Sequence, residues 1–142
     1  MTQEVILFFN EGVEFLLRDK GKVRLWLHAC AKAKKRRIGS ITYIFCNDAF
    51  LRKINKKFLA HDYNTDIITF PDGDSNSSKI NGEMYISIER VRANTQDYGT
   101  SFKEELHRVM AHGLLHLCGE KDTTKQQSQR MRAQENLLLG LR

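Results

Sequence analysis

No apolar run in this chain of 142 residues approaches the roughly 20 residues of a membrane span. No membrane association is therefore expected. The opening residues, Met1-Thr2-Gln3-Glu4, lack the basic start and small-residue cleavage site of a secretory signal. Cysteine is scarce and odd in number: Cys30, Cys46 and Cys118 stand far apart, which argues against a disulfide framework and for a reducing, cytoplasmic setting. Repeats and linker-like stretches are missing too, so one domain covering residues 1–142 is expected, long enough to bury a core.

What is present is a soluble globular composition, 41% hydrophobic and 28% charged, with a formal charge of +6 and a pI near 9.3. A basic protein of this size often meets nucleic acid, although a merely soluble basic surface accounts for the charge equally well.

Alternating patterns divide the chain. Val5–Phe9 reads as a buried strand. From Lys22 to Arg37 the periodicity is helical, with Val23, Leu25, Trp26, Ala29, Cys30 and Ala33 on one face. That helix is expected to end in Lys32, Lys34, Lys35, Arg36 and Arg37, which either complement its dipole or form a phosphate-binding edge. Ile41–Cys46 is rich in β-branched and aromatic residues and reads as a strand. Asn47 or Asp48 caps a helix from Ala49 to Leu59, which carries Arg52, Lys53, Lys56 and Lys57 outside. His61–Asn64 reads as a loop. Thr65–Phe70 is a strand ended by Pro71, and the polar tip Asp72–Ser78 joins it in a hairpin to a strand near Gly82–Ile88. A helix from Glu89 to Tyr98 stops at Gly99, and Thr100 or Ser101 caps the next, with Glu104 placed for a capping box. Thr124–Leu139 forms the last helix. The expected fold is α+β: about four strands in one mixed sheet with helices packed on it. The strand order cannot be derived.

The chain is organised around His112-Gly113-Leu114-Leu115-His116-Leu117-Cys118-Gly119-Glu120-Lys121-Asp122. Leu106, Val109, Met110, Gly113, Leu114 and Leu117 form a core stripe. Four helical residues turn about 400°, so His112 and His116 point the same way from the flank of that stripe. His107 falls on the other side and reads as a packing residue; Cys118 reads likewise. Gly119 is the natural left-handed stop, from which the chain folds back and returns Asp122 towards the histidines. Two imidazoles and one carboxylate form a three-ligand set for one zinc ion per chain, leaving a tetrahedral position for water.

This stretch resembles the signature of the YbeY family, bacterial zinc-dependent endoribonucleases of ribosomal RNA maturation. That pattern is His-Gly-x-Leu-His-Leu-x-Gly-Tyr-Asp-His. Its first eight places match His112 to Gly119, whereas Glu120, Lys121 and Asp122 stand where Tyr, Asp and His usually stand. The resemblance implies that Asp122 takes the third ligand place, which a carboxylate can fill on zinc. It extends loosely over most of the chain, through Asn55, through Thr65-Asp66-Ile67-Ile68-Thr69-Phe70-Pro71 and through Gly82-Glu83-Met84-Tyr85-Ile86. The family usually carries an arginine, linked to activity, three residues before an aspartate; here Leu59, three before Asp62, stands there, and Lys57 is a candidate replacement. The resemblance also implies a zincin-like motif helix, ribosomal RNA as substrate and the small ribosomal subunit as partner.

A zinc ion with an open position lowers the pKa of its water from 15.7 to about 7, which suits attack on a phosphodiester or an amide. Zinc peptidases carry a glutamate base directly after the first histidine. Here that place is Gly113, a gap that can admit another backbone or a bulky substrate. Glu105 lies about 10 Å along the helix from His112, too far to be a ligand. Three functions are thus compatible with the residues. The first is a metal-dependent endoribonuclease with Lys35, Arg36, Arg37 and Lys57 on the phosphates. The second is an amide hydrolase whose base comes from elsewhere. The third is a ribosome-assembly or RNA-binding factor with a structural zinc.

Overall fold

The structure is a computed structural model that describes residues 5–59 and 65–142. Met1–Glu4, the expected loop His61–Asn64 and the reference aspartate Asp62 lie outside the described residues. Along the chain run β1 (Val5–Asn10), α1 (Lys20–Ala33), β2 (Arg37–Cys46), α2 (Asp48–Leu59), β3 (Ile67–Pro71), β4 (Lys79–Ser87), α3 (Ile88–Tyr98), α4 (Phe102–Leu117) and α5 (Lys125–Leu139). The four strands make one mixed sheet in the order β1-β2-β4-β3. β2 pairs in parallel with both β1 and β4, and β3 is antiparallel to β4 through the expected hairpin.

The period of two assigns the faces. Ile41, Tyr43 and Phe45 of β2 and Ile80, Met84 and Ile86 of β4 point to one side, where α1, α3, α4 and α5 cover them. The other side holds a smaller core under α2, built from Cys46, Leu51, Ile54 and Ile68. Every member of the α4 stripe is buried, and full burial of side chains such as Met110 and Leu114 stabilises by ~1.5–3 kcal/mol each. Two buried hydrogen bonds join the layers: Tyr43 Oη donates to the Met110 carbonyl at 2.9 Å, and Trp26 Nε1 to the Leu138 carbonyl at 2.8 Å.

One boundary differs clearly from the sequence reading. α1 stops at Ala33 rather than Arg37, Lys35 takes a left-handed φ of 59°, and Arg37 already belongs to β2. The cause is tertiary. Ile38, fully buried, is drawn into the sheet beside Ile80, and no glycine or proline marks the break. The strands are also shifted: β4 begins at Lys79, and β3 at Ile67.

α4 lies across β3 and β4 at very close range. A Cβ on Gly113 would sit 2.5 Å from Met84 Sδ and 2.7 Å from Ile67 Cδ1, and one on Gly82 would meet Leu117 Cδ2 and the Phe70 carbonyl at 2.7 Å. Gly113 therefore faces the sheet, and the space it leaves is filled by protein rather than open to a substrate.

Candidate metal centre

α4 begins at Ser101, whose Oγ accepts the Glu104 N–H at 3.1 Å. It ends in a hydrogen-bonded reversal. Gly119, at φ 91°, donates its N–H to the His116 carbonyl, and the Glu120 N–H reaches back to the Leu115 carbonyl. This pair of bonds is the Schellman arrangement, which satisfies two otherwise orphaned carbonyls and turns the chain sharply. The next helix opens with a reciprocal capping box between Thr124 and Gln127. Between these two anchored ends the short return carries Asp122 back to α4, and Ser128 Oγ donates to the Asp122 carbonyl at 3.0 Å.

Three donor atoms converge there. His112 Nε2 lies 2.9 Å from His116 Nε2 and 3.2 Å from Asp122 Oδ2, and His116 Nε2 lies 3.7 Å from that same oxygen. A tetrahedral zinc with bonds of about 2.0–2.2 Å has ligand–ligand edges of about 3.3–3.6 Å, so the triangle has the right size. The tautomers point the same way. His112 Nδ1 is 2.7 Å from the Glu135 carboxylate, and His116 Nδ1 is 2.9 Å from the Glu120 carbonyl. Both partners are acceptors, so each Nδ1 carries the hydrogen and each Nε2 turns a lone pair inwards. Three lone-pair donors aimed at one point repel unless a positive charge sits among them. His112, His116 and Asp122 could therefore hold a metal ion.

Their surroundings tune them. Burial depresses the His112 imidazole, but the hydrogen bond and charge of Glu135, with Asp122 and Asp66 nearby, outweigh it and raise its pKa. For His116, burial and the neighbouring His112 lower it. Glu135 is almost enclosed; burial pushes its carboxyl up, yet His112 and Arg108, whose Nη1 donates at 3.0 Å, hold it below the usual range. Glu120, the rival ligand, spends its carboxylate on Lys34 and Arg130, both at 3.3 Å or less, and offers the site only its backbone oxygen.

The donors open onto a cleft of about 660 Å³ lined by Asn55, Leu59, Asp66, Thr69 and Pro71. Leu59, 43% exposed, does face it. Burial raises the Asp66 carboxyl, and Asn94 Nδ2 links Asp66 at 3.3 Å to the buried Glu105 at 3.4 Å, so Glu105 belongs to the support behind the site. His107 is buried against Trp26, with ring centroids 5.1 Å apart, and Cys118 is buried as well.

The basic residues are divided by the structure. Lys35, Arg37 and Lys57 are exposed. Arg36 sends its guanidinium to the carbonyls of Ser75, Ser77 and Cys118, which fastens the β3–β4 loop to the C-terminal end of α4, where a cation complements the dipole. Sequence reasoning missed Glu135 and Arg108. A signal for Glu135 existed, because it lies at i+4 from Met131 on the inward face of α5, where a carboxylate requires a partner.

The profile of the family described as Endoribonuclease YbeY matches residues 16–141. An Endoribonuclease YbeY of Cytophaga hutchinsonii is 48% identical over 142 residues, covering 100% of this chain and 99% of the relative. Another, from Christiangramia forsetii, is 41% identical and covers 99% of this chain and 96% of its own. A Thermotoga maritima protein solved in solution has the same fold, with a TM-score of 0.65, 22% identity and coverage of 96% of this chain and 88% of that one.

Proposed function

This chain belongs to the YbeY endoribonuclease family, and from that premise we propose that it is a zinc-dependent hydrolase that cleaves single-stranded RNA. We take its substrate to be ribosomal RNA during late maturation and quality control of the small ribosomal subunit, in the cytoplasm. The observation that carries the reading is the triangle of His112, His116 and Asp122 at the mouth of a cleft large enough for a nucleotide.

When bound, a divalent cation there supplies a Lewis acid and lowers the pKa of a water to about 7. The residues of the chain do the rest. Glu135 and the Glu120 carbonyl hold the two Nδ1 hydrogens, fixing both rings with Nε2 towards the cleft. Asp122 brings negative charge that offsets part of the cation's. Asp66, pushed up by burial, lines the same cleft and can hold a proton there. Lys57 at the end of α2, with Lys35 and Arg37 beyond α1, supplies positive charge for the phosphates, Arg36 being held on the loop carbonyls, and Leu59 leaves the cleft wall without the family's usual arginine.

Two alternatives are less well supported. An amide hydrolase lacks its base, because the position after His112 is a glycine pressed on Met84 and Ile67. A purely structural metal would want a fourth protein ligand, whereas this donor set opens onto a cleft. The test is cleavage of a labelled single-stranded oligoribonucleotide against its duplex. Cleavage of the single strand, lost on chelation and restored by zinc, is expected. Equal cleavage by chelated protein, or none by zinc-loaded protein, would sink the proposal.

A further inference from the structure

The surface at the opposite end of α4 has a groove that the cleft chemistry does not use. The start of α1, the start of α4 and the C-terminal residues enclose a cavity of about 760 Å³. A second one of about 360 Å³ adjoins it and shares Arg18, Asp19, Lys103 and His107. The floor is apolar, made by buried Val23, Trp26 and Leu139. The rim carries large aliphatic groups in water: Leu16 and Leu25 are each 73% exposed, and Leu141 is 46% exposed. Single exposed leucines need no explanation, but three bordering two adjoining cavities with an apolar floor form a cluster of the kind that marks a binding surface. Interleaved with them stand exposed Arg18, Lys22, Lys103 and Arg142, opposed in the larger cavity by Asp19 and Glu104.

We propose that this groove docks an acidic amphipathic helix of a partner protein, with its leucine-like side chains in the cavity and its carboxylates on Arg18, Lys22, Lys103 and Arg142. Helix-in-groove recognition needs apolar anchors at i, i+3, i+4 and i+7 and a charge pattern on the flanks that selects the partner. This groove offers an apolar floor, aliphatic rims and positive flanks. RNA fits it less well. Single-stranded bases bind by stacking on exposed aromatic faces; Trp26 is only 5% exposed, the exposed apolar groups are leucines, and the half-buried Phe15 and Phe102 rings of the smaller cavity pack edge to face on each other. Lys103 and His116 stand thirteen residues apart on one helix, about 20 Å along its axis. A docked helix therefore leaves the metal cleft open, and can bring the protein to its place of action without covering the site.

Trp26 is the sole tryptophan and lies on the groove floor, so its emission reports occupancy. The intact protein is titrated with a synthetic helical peptide carrying leucines at i, i+3, i+4 and i+7 and glutamates elsewhere, and with a counterpart having lysine for every glutamate. The expected result is a saturable emission change with a Kd of ~100 µM or below for the acidic peptide and at least roughly tenfold weaker binding of the basic one. Leu25→Ser, and separately the pair Arg18→Glu with Lys103→Glu, each weaken the acidic peptide by about tenfold or more, with circular dichroism and metal content unchanged. No saturable change, or equal binding of the two peptides, overturns the proposal. So does displacement of the peptide by a single-stranded oligoribonucleotide whose own binding depends on Arg18 and Lys103 but not on Leu25, which makes the groove a nucleic-acid face.

Discussion

Removing the Glu135 carboxylate should weaken metal binding without touching a ligand. Its Oε2 lies 2.7 Å from His112 Nδ1, and Oε1 accepts from Arg108 at 3.0 Å, with only 7% of the Glu135 side chain and 12% of the Arg108 side chain exposed. Two effects follow in Glu135→Ala. The imidazole loses the acceptor that fixes its tautomer and orientation, and losses of this kind lower metal affinity about 10–100-fold, or ~1.4–2.7 kcal/mol. Arg108 also loses its buried partner. Breaking such a pair costs ~3–5 kcal/mol, but Arg108 keeps Asn136 Oδ1 at 2.7 Å, so about 2–3 kcal/mol is expected. Glu135→Gln separates the two. It keeps an oxygen for His112 and the shape of the side chain, so affinity should fall only about three- to tenfold. The assay is a zinc titration against a competing chelator at one pH, with urea unfolding of the metal-free proteins as the control for stability. Wild-type affinity in a folded Glu135→Ala protein would refute the claim that this carboxylate orients a ligand.

Asp122→Ala should lower zinc affinity far more than Glu120→Ala, because the Glu120 side chain is held by Lys34 and Arg130 and gives the site only its backbone oxygen; Asp122→His should recover much of the loss, and the reverse ranking in the same titration would overturn the ligand assignment. Gly113→Glu, which restores the peptidase glutamate, should give no peptidase activity and should destabilise by about 3 kcal/mol or more, since the side chain meets Met84 and Ile67 at a buried position; an unchanged urea midpoint would contradict the packing described. Burial, with Arg142 and Lys103 near, depresses His107 from 6.5 to about 4. Its folded pKa lies below its unfolded one, so the stability tied to neutral His107 is complete above pH 6.5 and is lost as pH falls towards 4, on the order of 2–3 kcal/mol. A pH series of unfolding curves should show that decline, and His107→Phe should flatten it; parallel curves for the two proteins would remove His107 as the cause.

What the sequence made legible was whatever local chemistry dictates. The stripe on α4 predicted its buried face, the i, i+4 histidines their shared direction, and Gly119 the reversal that returns Asp122. Capping residues marked helix starts: Asn47 and Ser101, each one of two candidates, accept the Phe50 and Glu104 N–H groups. Long-range competition stayed hidden. The basic run at the end of α1 has no breaker, so periodicity carried the helix on to Arg37, whereas pairing of Ile38 with Ile80 pulls it into β2. Gly113 invited a reading as room for substrate, and only the placement of α4 on Met84 and Ile67 shows that the sheet needs that room. For Glu135 the inward face of α5 signals a buried carboxylate but not its partner: it lies nineteen residues after His116 on a separate helix, and nothing local joins it to His112. The sheet order likewise depends on which strands meet across the core.

If three side chains from one helix and its return hold one cation, removing any one of them empties the site. Metal analysis of the purified protein by mass spectrometry under native conditions tests it most directly, with His116→Ala and Asp122→Ala measured alongside. About one divalent ion per wild-type chain is expected, with a large loss of it in both variants, which should keep the fold because both positions border the open cleft. Full metal occupancy in folded His116→Ala and Asp122→Ala proteins would contradict it.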